Sequence, residues 1–432
     1  MRINVIGGGL AGSEAALSLA DFGNKVVLYE MRPTKSTEVH HTDNFAELVC
    51  SNSFKSESLE NASGLLKEEG CKLGSRLLQI AHHHRVPAGK ALAVNRETFA
   101  EEVSSRIENH PLIEIKRQEI CSLCLDESVN IVCTGPLTSG CLEDFLAELF
   151  GESLFFFDAV APIVAADSVD FSRAFVADRY ALDGDYVNCP LSREDYEVFW
   201  KELVMAEVAE VENFTDRFLF ERCQPFEEIA RSGIDALRYG PMKPVGLIEP
   251  VTGKEPYAVV QLRKENISGS LLGIVGFQTR LKWNEQKRIL SLIPALRAVD
   301  IVRYGVMHRN TFLDSPRLLN PDLQSKIKRG LFFAGQISGL EGYVEAIVSG
   351  RIVAMNVNRF VHGCQTFIPP SETMIGGLIH HVTVSGRSPL KPVYANFGLL
   401  PEIKIRNRRE KNRVKVIRAQ EEMQRFLEGV ER

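Results

Sequence analysis

The apolar and polar positions of the first thirty residues define three elements. Arg2 to Ile6 reads as a short buried strand. From Ala11 to Phe22, apolar and small residues recur at helical spacing, with Ala15, Ala16, Leu19 and Ala20 on one face. Lys25 to Tyr29 forms a second strand that ends on Glu30. A related pattern returns late in the chain. Leu331-Phe332-Phe333 reads as a buried strand running into Ala334-Gly335-Gln336, with Gly339, Gly342 and a helical run from Tyr343 to Phe360 behind it. Between these pieces, the apolar strand Ile131-Val132-Cys133 ends in Thr134-Gly135. No stretch reaches the roughly 18 apolar residues of a membrane span. The run from Leu154 to Ala166 is broken by Asp158 and Pro162.

The first strand and helix are joined by Gly7-Gly8-Gly9-Leu10-Ala11-Gly12. Glycine there permits a tight turn and lets the backbone approach a pyrophosphate, whose charge sits on the helix N-terminus. Glu30 falls where an acidic side chain accepts the ribose hydroxyls of an adenosine. NAD-linked dehydrogenases and S-adenosylmethionine methyltransferases open on similar turns. They do not usually return to the cofactor through a late Phe-Phe-Ala-Gly strand and helix. That return fits FAD, whose ring system extends away from the adenosine and needs contacts from distant segments. Gln336 stands where an acidic residue is usual, and its amide can hydrogen-bond a ribityl or phosphate oxygen. The expected fold is therefore α/β, a Rossmann-like FAD-binding domain of the glutathione-reductase type with an inserted α+β domain. Three separated pieces of one site predict a first FAD-binding part at 1–150, the insertion at 151–299, and a second FAD-binding part with a basic tail at 300–432.

At 432 residues the chain is too long for one ordinary core. Its 44% hydrophobic and 25% charged residues suit a soluble globular protein, and the net charge of −5 confines any nucleic-acid site to a local patch. The tail offers one: Lys404, Arg406, Arg408, Arg409, Lys411, Arg413, Lys415 and Arg418 are opposed only by Glu410. Such a strip is either a solvated helix face or a surface that neutralises phosphates.

Nine cysteines, odd in number and irregular in spacing, fit reduced thiols and a cytoplasmic location. The N-terminus, which leads straight into a strand with no signal segment, points the same way. Cys121-x-x-Cys124 lacks the second pair of a zinc site. The runs His40-His41, His82-His83-His84 and His380-His381 lack a partnered carboxylate or cysteine pattern, so no metal is expected. A flavin disulfide reductase is disfavoured, because Cys50 has no neighbouring cysteine until Cys71. Cys50 lies where Glu47-Leu48-Val49 meets Ser51-Asn52-Ser53. Cys223 precedes Pro225, Glu227 and Glu228, which read as the first turn of a helix, and Arg222 adjoins it. That setting favours a thiolate.

Several longer stretches have no generic structural reason to occur together. They are His40-His41-Thr42-Asp43, Val49-Cys50-Ser51-Asn52-Ser53, Gly135-Pro136-Leu137-Thr138-Ser139 and Tyr239 to Leu247. Pro256 to Arg263, Val275 to Thr279, Met307 to Phe312, Gly335 to Glu345 and Ala395 to Leu400 complete the set. Together they resemble the folate- and FAD-dependent tRNA (uracil-5-)-methyltransferases of the TrmFO family over essentially the whole chain. The resemblance implies methylation of the tRNA T-loop uridine at position 54. The one-carbon unit would come from 5,10-methylenetetrahydrofolate and the electrons from NADH or NADPH through FAD. It also implies that the family's two functional cysteines fall on Cys50 and Cys223. Cys223 would attack uracil C6, and Cys50 would act beside the flavin, guarding or shuttling the methylene unit or moving a proton.

The chemistry accounts for such a pairing. Uracil C5 becomes nucleophilic once a thiolate adds at C6, and the methylene it captures then needs a hydride that a reduced flavin can supply. Glu341, Tyr343 and Glu345 are implied near the flavin, although a structural role at the helix start suits them equally. Lys243, Arg263, Lys282 and Arg309 are candidate folate- or phosphate-binding cations. Phe54 and Arg222 depart from residues usual in the family and bear on the geometry around the thiols. Three rivals remain. One is the larger GidA/MnmG type, whose long C-terminal helical region this chain is too short to hold. The others are a ribosomal RNA methyltransferase of the same chemistry and a flavin-bound RNA-binding factor without turnover.

Overall fold

The computed structural model describes residues 2–430 except 38, 127, 152–153, 160, 181–183, 210–223, 267, 306, 385–389 and 391; for 154–159, 307–310 and 408 it describes the backbone alone. The strands of the first half, in chain order, are β1 (Arg2–Ile6), β2 (Val26–Glu30), β3 (Ser53–Ser56), β4 (Arg85–Val86), β5 (Ala91–Val94), β6 (Ile113–Arg117), β7 (Ser128–Val132) and β8 (Leu154–Ala159). There follow β9 (Ile163–Ala165), β10 (Phe175–Val176), β11 (Val187–Leu191), β12 (Ala258–Lys264), β13 (Leu271–Ile274), β14 (Ile301–Arg303), β15 (Met307–Phe312) and β16 (Leu331–Phe333).

A five-stranded sheet in the order β16-β7-β1-β2-β6 carries the first core, and its paired strands are all parallel. Parallel strands covered on both faces need apolar residues throughout. Every residue of β7 and β16 is buried. β7 starts at Ser128, earlier than the apolar run suggests, because Asn130 and Ser128 are buried with a partner: Asn4 Nδ2 donates to Asn130 Oδ1 at 3.0 Å and to Ser128 Oγ at 3.1 Å. The helices Leu10–Asp21 and Tyr343–Val361 pack directly against each other. A Cβ on Gly350 would lie 2.3 Å from the Ala11 carbonyl oxygen, so the two backbones touch at that point. This contact brings the late glycine segment onto the start of the first helix.

β9 to β14 form a second, six-stranded sheet in the order β10-β11-β12-β13-β9-β14, antiparallel throughout. Its own buried cluster includes Phe199, Phe226, Val260 and Phe277. The fold is thus α/β, with a parallel nucleotide-type sheet and a separate antiparallel one. The chain crosses between the two cores through β8 and β15, which pair antiparallel from Leu154↔Phe312 to Ala159↔Met307. The basic tail forms the helix Arg408–Val430, which buries Val416, Ala419 and Met423 against the first core.

One expectation is overturned. Cys121 and Cys141 are joined in a disulfide rather than held as reduced thiols. The loop after β6 and the start of the helix Gly140–Phe150 bring their Cα atoms to 4.9 Å, well within bridging range. Glu119 offers a third ligand atom within 4.8 Å of both sulfurs, but these are bonded to each other. Among the described residues no helix is long and apolar enough to cross a membrane.

Candidate cofactor and thiol site

A cleft of about 970 Å³, solvent space at its mouth included, runs along the C-terminal ends of β1, β2 and β7, lined by the glycine turn, Glu30, His40, Thr134, Gln336 and Tyr343 among others. Gly7 has φ +99°, and a Cβ there would sit 2.6 Å from the Cys133 carbonyl oxygen. A Cβ on Gly12 would sit 1.8 Å from the Gly7 carbonyl oxygen. Both positions are closed to any side chain. Gly9 is different: an added Cβ would meet nothing within 4 Å. It precedes a helix whose first turn has no acidic residue and no side-chain cap. Leu10 and Ala11 open that helix, and its terminal N–H groups suit a pyrophosphate.

Glu30 is buried at the edge of the cleft. Its Oε2 accepts the Gly8 N–H at 2.9 Å, and its Oε1 accepts Arg32 Nε at 2.9 Å. Burial alone would raise its pKa, but the Arg32 charge and these hydrogen bonds hold it below the ordinary carboxylate range. An ionised carboxylate keeps further lone pairs for hydroxyl donors, as a ribose requires. On the opposite side, Gly335 has φ +80°, and a Cβ there would come 2.9 Å from the Ala11 Cβ. Its N–H donates to Ser349 Oγ at 2.8 Å. Gln336 Nε2 donates to Glu341 Oε2 at 2.9 Å, which orients the amide at the cleft wall. These residues fit a dinucleotide such as FAD: closed glycines at the turn, open space before an uncapped helix, and an ionised acid at the second strand.

The Cys50 segment lies against this cleft and is held by its backbone. The Cys50 and Ser51 N–H groups donate to Tyr343 Oη at 2.7 and 3.0 Å. Two guanidiniums take the carbonyls. Arg96 donates to Leu48 O at 2.8 Å and Cys50 O at 3.3 Å, and Arg303 donates to Val49 O at 2.6 Å. Asn52, fully buried, donates to Val94 O and to Lys264 O, both at 3.0 Å, and accepts Arg263 Nε at 3.0 Å. Arg96 also pairs with Glu265 at 2.8 Å. Because Lys264, Arg263 and Glu265 belong to the second sheet and its turn, the loop bearing Cys50 is fastened from both units.

The charges are coupled as well. Arg303 is pushed below its ordinary value by burial and by the positive charge of Arg96. The Tyr343 hydroxyl is pushed up by burial and by negative charge at Cys50. Arg96 and Arg303 both interact electrostatically with Cys50.

Cys223 and Arg222 lie outside the described residues. The helix following them, Phe226–Arg231, begins after Pro225 with Glu227 and Glu228 in its first turn. Glu227 is buried and accepts Thr279 Oγ1 at 2.9 Å and the Arg280 N–H at 2.8 Å, anchoring that helix. The other candidate cations are scattered. Lys243 is exposed, and Lys282 pairs with Glu207 at 2.7 Å. Arg263 is engaged with Asn52, and the Arg309 side chain lies outside the description. Glu345 is fully buried and accepts the Ala395 N–H at 2.9 Å. Phe54 packs edge-on against Phe99 at 5.7 Å. Arg32, Arg96, Arg303 and Glu265 carry no linear signal. Arg96, Arg303 and Glu265 act on segments distant in sequence, and Arg32 on Glu30, Thr42 and Glu47 close by, in pairings that no periodicity marks.

The chain matches the family described as "Glucose inhibited division protein A" over residues 2–365. Among curated proteins, the methylenetetrahydrofolate–tRNA-(uracil-5-)-methyltransferase TrmFO of Thermotoga neapolitana is 56% identical over 431 residues, 99% of each chain. The protein of the same name from Thermotoga maritima is 55% identical over 99% of each chain. That from Moorella thermoacetica is 51% identical over 97% of each. Among solved structures, GidA of Aquifex aeolicus superposes with a TM-score of 0.72 at 18% identity, covering 98% of this chain and 73% of that one.

Proposed function

The chain belongs to the TrmFO family, and on that premise we propose that the Cys50 loop and the flavin cleft together form the site at which a tRNA uridine is methylated. The enzyme is a methylenetetrahydrofolate–tRNA-(uracil-5-)-methyltransferase that uses FAD. We take the T-loop uridine as its target, NADH or NADPH as its reductant and the cytoplasm as its compartment. The observation that carries the reading of the site is the fastening of Cys50 to Tyr343, a residue of the cleft wall.

Each part of the chain has a task in this scheme. The glycine turn and the helix behind it hold the pyrophosphate of FAD, and Glu30 holds its ribose. When bound, FAD supplies the hydride that turns a methylene carbon into a methyl group. Cys223, as the nucleophile, adds to uracil C6, and the displaced electron pair makes C5 an enolate-like nucleophile toward the folate methylene. Loss of the C5 proton to a base breaks the bond from the captured carbon to the folate nitrogen, releasing tetrahydrofolate and leaving an exocyclic methylene; hydride addition at that carbon then expels the C6 thiolate and restores the ring. Cys50, which interacts electrostatically with Arg96 and Arg303, is suited to take or return a proton, or to guard the one-carbon unit. Tyr343, Arg96 and Arg303 position it through its backbone.

The test supplies labelled methylenetetrahydrofolate, NADPH and an unmodified tRNA transcript to the purified holoenzyme. Label should enter the tRNA, and both Cys223→Ala and a T-loop uridine substitution should abolish transfer. Label that still enters a transcript lacking the T-loop uridine would overturn that target. Flavin that is reduced normally while label enters only ribosomal RNA would move the same chemistry to that substrate.

A further inference from the structure

A second, open cavity of about 1620 Å³, solvent space at its mouth included, lies between the N-terminal half of the tail helix and the segment after β3, and Lys55, Tyr394, Arg406, Lys411 and Lys415 are among its lining residues. Lys411 and Lys415 stand one turn apart on the helix. Lys415 is buried, and its ammonium donates to the carbonyl oxygens of Phe397 at 2.6 Å and Leu400 at 3.1 Å rather than to a carboxylate. Its pKa is pushed down by burial and then by the positive charges of Lys411 and Arg418. The cations here repel one another. Their acidic neighbours compensate weakly. Glu402 is 3.9 Å from Lys411 and 86% exposed, and Glu60 is taken by Arg409 at 3.0 Å. Lys55 reaches the buried Glu345 at 3.4 Å and lies 5.3 Å from the centre of the Tyr394 ring.

Two features set the ligand's chemistry. The positive line does not stop at the cavity, because Lys404, Arg409 and Arg413 carry it onto the exposed surface in a chain whose net charge is −5. A ligand that matches it is a polyanion longer than the cavity. The cavity also adjoins the thiol site: Tyr343 lines the cofactor cleft, and a Cβ on Gly342 would sit 3.0 Å from Lys55 Nζ. We propose that this cavity is a backbone-phosphate subsite for the RNA strand next to the target uridine, formed by Lys55, Arg406, Lys411 and Lys415, with Tyr394 offering an aromatic wall. The proposal rests on the tRNA-methyltransferase reading and adds where the strand is gripped. A strand held there would be tethered beside Cys50 without any base being read.

The test uses the FAD-loaded enzyme and the Arg406→Gln/Lys411→Gln double variant. Binding of an unmodified tRNA transcript is measured across a salt series. Each lost phosphate contact should lower the slope of log affinity against log salt by roughly 0.7 to 0.9, so the double variant should lose about 1.5. Affinity should weaken several-fold, and the rate of flavin reduction by NADPH should stay unchanged. An unchanged slope would overturn the proposal. So would an unchanged slope accompanied by a raised KM for polyglutamylated methylenetetrahydrofolate, which would assign the cavity to the folate's anionic tail. If the wild-type enzyme transfers no label to tRNA, the reaction assignment fails instead, while the slope still decides this subsite.

Discussion

His40 shows how a residue's surroundings set its charge. It lines the cofactor cleft and hydrogen-bonds Thr37 Oγ1 through Nδ1 at 2.6 Å. Burial, and then the positive charge of Arg32, push its pKa down to about 4, with Glu47 and Glu30 opposing. An unfolded chain takes up this proton near 6.5, whereas the folded chain resists until about 4. Between those values the unfolded state binds more protons, so stability falls as pH drops from about 6.5 toward 4. His40→Gln should flatten that part of the profile, measured as melting temperature against pH on the FAD-loaded enzyme. A variant with the wild-type slope would place the acid sensitivity elsewhere. The histidine pair was visible in the sequence, but the depression was not, because Arg32 reaches it only through the fold. The turn glycines are the opposite case. Gly12 is demanded by the Gly7 carbonyl within one strand–turn–helix unit and Gly7 by its own φ of +99°, so their spacing announced them, although Gly7 also faces the Cys133 carbonyl of a distant strand.

At the scale of elements, the pair of helices Leu10–Asp21 and Tyr343–Val361 holds the two glycine segments together. Gly350 is not part of the cleft wall, yet it sets how closely the helices approach. Gly350→Ala would place its methyl group 2.3 Å from the Ala11 carbonyl oxygen, so the helices must part. The expected result is loss of bound flavin, read from absorbance per polypeptide, together with a lowered melting temperature. Full flavin content would show that the spacing tolerates adjustment. Both helices and their strands were legible because each is a local run of residues with its own period. β7 was caught only in its apolar half. Its polar start, Ser128 and Asn130, is satisfied by Asn4 from a neighbouring strand, and no pattern within the segment shows this. The Cys121–Cys141 bridge escaped for the same reason: it depends on where the loop after β6 and the start of the Gly140–Phe150 helix lie in space.

At the scale of the molecule, the two cores meet at the Cys50 loop, and Glu265 is central to that contact. It pairs with Arg96 at 2.8 Å and approaches Arg263 at 3.6 Å, all three being mostly buried. Removing one partner from a buried ion pair costs about 3–5 kcal/mol because the other charge is left uncompensated. Glu265→Gln should therefore lower stability and slow methyl transfer while flavin stays bound, since Glu265 does not line the cofactor cleft. Single-turnover transfer with flavin content as control measures it, and a rate equal to wild type would remove Glu265 from the positioning of Cys50. None of this network was legible in advance. It joins residues of two units, and the linear chain gives no reason to pair them.

The ladder between β8 and β15 has a consequence for ancestry. The chain leaves the nucleotide-binding half and returns to it along adjacent, hydrogen-bonded strands. The chain from β9 to β14 is spliced in at that seam and is held again at the Cys50 loop. An insertion, exchange or reshaping of such a cassette needs no rethreading of the nucleotide-binding half, because its entry and exit strands are adjacent. Changes between β9 and β14 would leave the glycine turn, Glu30 and the tail helix where they are.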